Sequence, residues 1–329
     1  MEKVVKCFRA ILVTIIFFSV VKGGNLTEGW GISGNAILDY YYVNNVTDTS
    51  KISDTKPGIF KNLDNDNRSG FQFRRIYLTF EKQLASNLHT RLRFMMANKD
   101  YIESGMAAEV KDAYITWQYL DNHSVTGGIV GSPAFGVITD YWGYRLMEKS
   151  ASDIFGIRSS RNFGIALTGN FVKNKLQYHL AYGNGQGSKS ESVVNNDKLL
   201  ALSLKYYFMD NLFLEIYGDR KDCDNYTEQG FLAYENEYFR TGAQYTYQNK
   251  KGNNINLVSM PLILKISNNF KVVTRASRYA EDEDVSSKYL LGLDFSYVKN
   301  LQIMPNIMYM DYEENKSDIL SRFTVSYEF

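Results

Sequence analysis

The sequence is poor in several features that would mark other classes of protein. It has only two cysteines, Cys7 and Cys223, too few for a disulfide framework or a cysteine-based zinc site. The 37 basic and 36 acidic side chains leave a formal net charge of +1, which removes the electrostatic argument for nucleic-acid binding. There are three histidines and no activated nucleophile at matching spacing. We therefore expect no catalytic residue, no metal site and no cofactor.

Long hydrophobic runs are also missing, except at the N-terminus. Ala10–Val21 is a nearly unbroken apolar run of 12 residues that follows a basic segment and precedes Gly23. A transmembrane helix needs about 20 residues, so this run is too short to span a bilayer. The pattern predicts a secretory signal peptide over residues 1–23 and an exported chain over residues 24–329.

The exported chain alternates between apolar and polar residues with a period of two. In its last segment, Phe323, Val325, Tyr327 and Phe329 fall on one face and polar residues fall on the other. The same alternation recurs throughout the chain, and it is typical of strands with one apolar and one polar side. A soluble β-sandwich would give the same pattern, so the alternation by itself leaves that alternative open.

The spacing of turns separates these two architectures. Seven short turns, each containing Asn, alternate with eight longer polar stretches, so that 16 strands run from Trp30–Asn44 to Ile319–Phe329. The longer stretches include residues 219–226, 249–254 and 281–287. This arrangement predicts an all-β fold, an antiparallel transmembrane β-barrel of about 16 strands with short periplasmic turns and longer extracellular loops.

Several stretches resemble one family of outer-membrane proteins. They are residues 71–80 with their Arg-Arg pair, 110–117, 127–136, and 162–169 running into 178–185, and their order and spacing are similar to those of the phosphate-selective porin O/P family. The resemblance implies a porin in the outer membrane of a Gram-negative bacterium, often trimeric, with its third loop folded into the barrel. Its surroundings would then be outer-membrane lipid and lipopolysaccharide.

The C-terminus resembles the closing strand of bacterial outer-membrane proteins. In those proteins the terminal aromatic residue is recognised by the barrel assembly machinery, and Phe329 and Tyr327 occupy the corresponding positions here. The resemblance therefore implies that these two residues form the assembly signal.

The third loop, residues 131–162, has more large rings than a solvated surface loop would be expected to have. We expect it to enter the barrel and narrow the pore, because loops this long are usually functional. Our candidates for the constriction are Tyr141, Trp142, Arg145, Lys149, Arg158 and Arg161. The loop carries four cations and three acids, whereas the phosphate-binding members of the family are associated with an arginine ladder and a lysine cluster. A phosphate substrate does not follow from the family resemblance alone.

The polar face of each strand would line the pore. The candidate pore-lining residues are Arg75, Arg91, Arg93, Asp112, Lys205, Arg240, Lys265, Lys271, Arg275 and Arg322. Nine inward cations against six inward acids predict a mild preference for anions, although the charges could also pair across strands and cancel. The predicted function is passive diffusion of small hydrophilic solutes. The alternatives are a barrel hydrolase and a structural or adhesive barrel.

Overall fold

The computed structural model describes residues 29–44, 68–98, 106–190, 197–312 and 316–329. The predicted signal peptide lies outside these residues. The strands are β1 (Trp30–Asn44), β2 (Arg68–Ala85), β3 (Leu88–Asn98), β4 (Met106–Leu120), β5 (His123–Gly131), β6 (Arg161–Phe171), β7 (Leu176–Gly183), β8 (Leu199–Met209), β9 (Leu212–Asp222), β10 (Asn225–Glu235), β11 (Phe239–Lys250), β12 (Asn253–Ser267), β13 (Phe270–Glu281), β14 (Asp284–Val298), β15 (Leu301–Tyr312) and β16 (Lys316–Glu328).

The strands form one closed barrel. Each strand pairs antiparallel with its neighbours in the chain, and β1 closes the barrel by pairing with β16. Along β16 the apolar Phe323 and Tyr327 are exposed on the outer face, while Arg322 and Thr324 are buried on the inner face. Closure satisfies the backbone groups of every strand and removes the open edges that lipid would not tolerate. The predicted 16-stranded antiparallel barrel is confirmed.

The short turns lie at the predicted places, and their backbone explains the recurrent Asn. Asn122, Asn174 and Asn300 have φ values of 62°, 71° and 62°, which lie in the left-handed region. Asn tolerates this region better than most residues because its short side chain can hydrogen-bond locally. The turn residues therefore follow from the conformation that tight hairpins require.

Three of the predicted longer loops are wrong. Strand β9 ends at Asp222 and β10 begins at Asn225, so Cys223 and Asp224 alone separate them. The strands on either side of residues 251–252 and of residues 282–283 are equally close. These segments are polar on both faces because the strands extend past the apolar band. A prediction based on polar stretches therefore makes the loops too long.

Two irregularities in pairing place consecutive charged residues on the inner face. The register between β1 and β2 shifts between Ile37 and Leu38, so that Arg74 and Arg75 both point inward. A second shift, between β3 and β4, does the same for Lys111 and Asp112. A β-bulge inserts one residue into a strand and interrupts its alternation, so a strict period of two missed Arg74 and Lys111.

The third loop contains two helices, α1 (Pro133–Trp142) and α2 (Ala151–Ile154). Helix α1 begins with Pro133 at its first position and ends at Gly143, whose φ of 68° is the left-handed conformation that commonly terminates helices. Within the described ranges, no helix is long and apolar enough to cross a bilayer.

The loop lies inside the barrel. Trp142 and Met147 pack with inward residues of the late strands, among them Ile263, Met304 and Leu320. Helix α1 also packs on β8 and β9, and Phe155 stacks on Tyr279 with ring centroids 4.7 Å apart. The loop thus covers the wall formed by β8 to β16, while the wall formed by β2 to β4 is left facing it across a cavity.

Candidate functional site: the third loop and the basic wall

Arginines of the barrel wall hold the third loop by its backbone. Arg74 donates a hydrogen bond to the carbonyl oxygen of Met147 at 2.7 Å, and Arg322 donates to the same oxygen at 2.6 Å. Arg275 donates to the carbonyl of Lys149 at 2.7 Å. Hydrogen bonds from charged donors are stronger than neutral ones. Arg275 and Arg322 are therefore inward-facing, as expected, but they lie beneath the loop and contact it.

One buried carboxylate completes this attachment. The Oε2 atom of Glu148 lies 3.3 Å from Nζ of Lys288 and 3.4 Å from Nη2 of Arg322, and all three side chains are almost fully buried. Burial by itself would raise the pKa of Glu148, but the cations around it outweigh that effect and hold this pKa well below its usual range. Glu148 is thus a fixed negative charge in the middle of the loop.

Two more candidate constriction residues also anchor the loop. Arg158 forms a two-pronged ion pair with Asp219, with Nε 2.9 Å from Oδ2 and Nη2 2.6 Å from Oδ1. The hydroxyl of Tyr141 lies 2.6 Å from the carbonyl oxygen of Tyr234, and burial raises its pKa to about 12. These side chains bind the wall, and so does the buried Trp142. The rings of Tyr141 and Trp142 fill the space between the loop and strands β8 to β16.

Three other predicted pore-lining residues, Arg240, Lys265 and Lys271, also form ion pairs. Arg240 contacts Glu235 at 3.0 Å and donates to the carbonyl of Tyr141. Lys265 lies 2.5 Å from Glu235, and Lys271 lies 3.7 Å from Asp294. Their charges face inward and are partly neutralised by two acids, of which Glu235 serves both Arg240 and Lys265.

On the other side of the loop, the structure has an open cavity of about 400 Å³ against β2 to β4. We call it the basic cavity, after the six cations that line it: Arg75, Arg91, Arg93, Lys111, Arg145 and Arg161. Asp112 and Asp140 are the acids that line it. Five of these cations were predicted site residues: Arg75, Arg91 and Arg93 on the wall, and Arg145 and Arg161 in the third loop. The cavity brings together residues that are far apart in the sequence.

Most cations of the basic cavity are paired with carboxylates. Arg91 donates from Nε to Glu81 at 2.6 Å, and Nη1 of Arg145 lies 2.5 Å from Asp153. The remaining pairs join Arg93 and Arg161 to Asp112, Lys111 to Glu109, and Lys149 to Asp153. Within the described part of the chain, no carboxylate pairs with Arg75. These pairs use four acids, and Asp112 serves two arginines while Asp153 serves Arg145 and Lys149, so the cavity cations are only partly neutralised.

Asp140 connects the basic cavity with the short-turn end of the barrel. It lines the basic cavity and also two smaller cavities, of about 290 and 330 Å³, that reach the turn residues Asn122 and Asn211. Lys205 lines both smaller cavities, with its ammonium 4.1 Å from the ring centroid of Phe213. Burial raises the pKa of Asp140, and the positive charge of Lys205 opposes that rise.

Sequence reasoning missed four charged residues of this region. Arg74 and Lys111 were hidden by the bulges, whereas Lys288 sits at a regular inward position of β14 and could have been found from the alternation. Glu148 gave no signal, because a buried acid in a loop looks like any solvated acid in the sequence. Its role depends on the fold.

The C-terminal residue closes the barrel against β1. The N–H of Phe329 donates to the carbonyl of Gly34 at 3.0 Å, and the N–H of Gly34 donates to Phe329 at 2.7 Å. The ring of Phe329 covers Gly34 so closely that a Cβ atom there would lie 2.2 Å from the ring. Tyr327 and Phe329 are exposed on the outer face. Their role as an assembly signal remains a prediction.

Among the residues that the structure describes, no group of three or more His, Cys, Asp or Glu side chains is placed to hold a metal ion.

Comparison with known proteins agrees with this geometry. Residues 53–139, about a quarter of the chain, match the family model "Phosphate-selective porin O and P". No curated protein matches the chain in sequence.

Solved structures share the whole architecture. The anion-selective porin from Comamonas acidovorans is 11% identical, with a TM-score of 0.67 over 91% of this chain and 99% of that one. The outer membrane channel DcaP of Acinetobacter baumannii is 12% identical, with a TM-score of 0.65 over 93% and 99% of the two chains. Salmonella typhi OmpF is 12% identical, with a TM-score of 0.64 over 93% and 99%. At these identities the structural matches show a common fold, the porin-type barrel, and residues 53–139 within it are similar to the phosphate-selective porin O and P family.

Proposed function

We propose that the chain forms a passive diffusion channel for small hydrophilic solutes, with a mild preference for anions, whose narrowest part lies between the third loop and the wall of β2 to β4. The basic cavity carries this proposal, because six cations meet two lining acids at the open side of the loop. Positive side chains along a pore favour anions. A lumen of 16 strands is wide enough for water, so the loop is what would restrict it.

The pairing of charges supports a mild preference rather than a strict one. Glu81, Asp112 and Asp153 each hold an arginine of the cavity in an ion pair. A paired guanidinium contributes less to the field in the pore than a free one, since its partner cancels part of the potential. The surplus comes from Arg75, which makes no ion pair among the described residues, and from Arg93 and Arg161, which share Asp112.

Several features of the mature protein belong to the same proposal. We expect residues 1–23 to be removed on export, and the barrel assembly machinery to recognise Phe329 and Tyr327. We also expect three copies of residues 24–329 to associate in a membrane of lipid and lipopolysaccharide. Chemical cross-linking of intact outer membranes, followed by electrophoresis without boiling, would test the trimer. Recovery of the monomer alone would contradict it.

Reconstitution of the purified protein tests the function. Liposomes that contain it should swell in solutions of small sugars and salts, at rates that fall with solute size and do not saturate. A planar bilayer should show stepwise conductance. A protein that inserts, resists denaturation as a folded barrel and conducts nothing would contradict the proposal.

A further inference from the structure

One arginine of the basic cavity has no acidic partner. Five of the six cations are paired, namely Arg91 with Glu81, Arg93 and Arg161 with Asp112, Arg145 with Asp153, and Lys111 with Glu109. Arg75 instead interacts with the hydroxyl of Tyr77, and among the described residues it makes no ion pair. The cavity therefore offers one guanidinium whose donors are not already committed to a carboxylate.

Aromatic and apolar side chains line the same cavity as this guanidinium. Arg93 lies over the ring of Tyr77 at 5.7 Å, and Arg91 lies over the ring of Tyr114 at 6.0 Å, so both rings are held in fixed places on the wall. Leu146 faces them from the third loop. The basic cavity thus holds Arg75 together with two tyrosine rings and Leu146, and it has room for a small organic molecule, since pockets for such ligands measure roughly 300–1,000 Å³.

This arrangement suits a carboxylate better than a phosphate. A guanidinium binds a carboxylate with two parallel N–H donors, so one free arginine is enough. A phosphate dianion carries more charge and more acceptor oxygens, and the arginines that could supply further donors are held by Glu81, Asp112 and Asp153. An aromatic ring attached to the carboxylate would gain contact with Tyr77 and Tyr114.

We infer that the basic cavity is a binding site for small monocarboxylates that carry a ring or another apolar body, with Arg75 binding the carboxylate and Tyr77 contacting the body. This inference rests on the proposed function, because the site lies in the proposed permeation path. Solutes of this class should therefore stay in the channel longest.

The test is the block of chloride current through single channels by three anions: benzoate, acetate and inorganic phosphate. Benzoate should halve the current at a concentration about tenfold lower than acetate, because acetate lacks the ring. Benzoate should also be effective at a lower concentration than phosphate. In Arg75→Gln the block by benzoate should be lost, and in Tyr77→Ala it should fall to the level of acetate.

Lys205→Gln is the matched control, because it removes one positive charge from the path at a position outside the basic cavity. It should keep the block by benzoate. Stronger block by phosphate, or equal block by benzoate and acetate, would overturn the inference while leaving a conducting, anion-preferring channel. Equal loss of benzoate block in Arg75→Gln and Lys205→Gln would also overturn it. Absence of any conductance would refute the proposed function itself.

Discussion

Arg74 and Arg75 are neighbours in the sequence but have different partners in the barrel. Arg74 pairs with Asp39 at 2.8 Å and donates to the third loop, whereas Arg75 lines the basic cavity. The bulge in β2 allows both side chains to point inward, so one arginine fastens the loop and the next faces solutes. The role of an arginine in the lumen thus depends on which residues its guanidinium contacts.

Arg91 and Arg93 give the first prediction at this scale. Replacing both with Gln should shift the zero-current potential in a salt gradient toward cation preference, since Glu81 loses its partner and Asp112 keeps only Arg161. The shift should be clearest at low salt, because charges are screened over about 8 Å at physiological salt. Adding Asp112→Asn should restore much of the original selectivity.

The control for this experiment is Arg220→Gln, which removes an exposed charge from the outer face of β9. It should leave the zero-current potential unchanged. If the Arg91 and Arg93 variants also left the potential unchanged, the wall of β3 would not face the permeation path.

Asp140 should make selectivity depend on pH. Its pKa is raised by burial, so as the pH falls through that value the carboxylate becomes neutral and the cavity loses a negative charge. Anion preference should therefore increase as the pH is lowered. Zero-current potentials measured over a pH series should show this rise, and Asp140→Asn should show the high preference at every pH. A wild-type channel with no pH dependence in this range would contradict the assignment.

The third loop is the element whose position determines the width of the pore. Deleting residues 134–160 would remove both helices and open the space in front of β8 to β16. Single-channel conductance should rise, because the barrel wall alone encloses a wider lumen. An unchanged conductance in a variant that still folds would show that the loop is not the constriction.

Glu148 should determine how firmly that loop is held. Replacing it with Gln removes the buried carboxylate that Lys288 and Arg322 both contact, and breaking a buried ion pair typically costs about 3–5 kcal/mol. We expect a lower thermal transition of the folded barrel and noisier single-channel currents. A variant as stable and quiet as the wild type would show that the hydrogen bonds to the loop carbonyls suffice.

The pH dependence of this anchor has a definite sign. The folded pKa of Glu148 is lowered, so its stabilisation is present above the unfolded value of about 4.3 and is lost only as the pH falls through the lower folded value. The pKa of Asp140 is raised and that of Glu148 is lowered, so the loop should stay attached at the pH at which Asp140 loses its charge, and one titration can separate the two effects.

The sequence predicted some strands and turns correctly and missed others, for physical reasons. Alternation located most strands because lipid selects apolar residues on one face, and Asn marked the short turns because of their left-handed backbone. The alternation did not reveal the strands over residues 219–226, where the chain beyond the membrane band is polar on both faces. It also gave the wrong facing of residues at the bulges. The alternation also could not tell which inward arginines would lie beneath the loop, because that depends on contacts made after folding.

The whole barrel is closed by contacts between its two ends. Phe329 pairs with Gly34 through two backbone hydrogen bonds, and its ring covers the glycine. Deleting Phe329 should reduce the amount of folded, heat-modifiable protein in the outer membrane. Gly34→Val should weaken closure in the same direction, since any Cβ atom meets the ring. Recovery of the deletion variant at full yield would contradict a role for this residue in assembly or closure.

The zero-current potential of the wild-type channel, measured across a planar bilayer in a low-concentration potassium chloride gradient, tests the central claim most directly. The central claim is that the open path runs between the third loop and the basic wall. The sign of the potential should indicate a modest preference for chloride, and Arg75→Gln should move it toward zero because it removes a cavity cation that makes no ion pair with the described residues. A cation-preferring wild-type channel, or a potential that does not change in Arg75→Gln, would contradict the account.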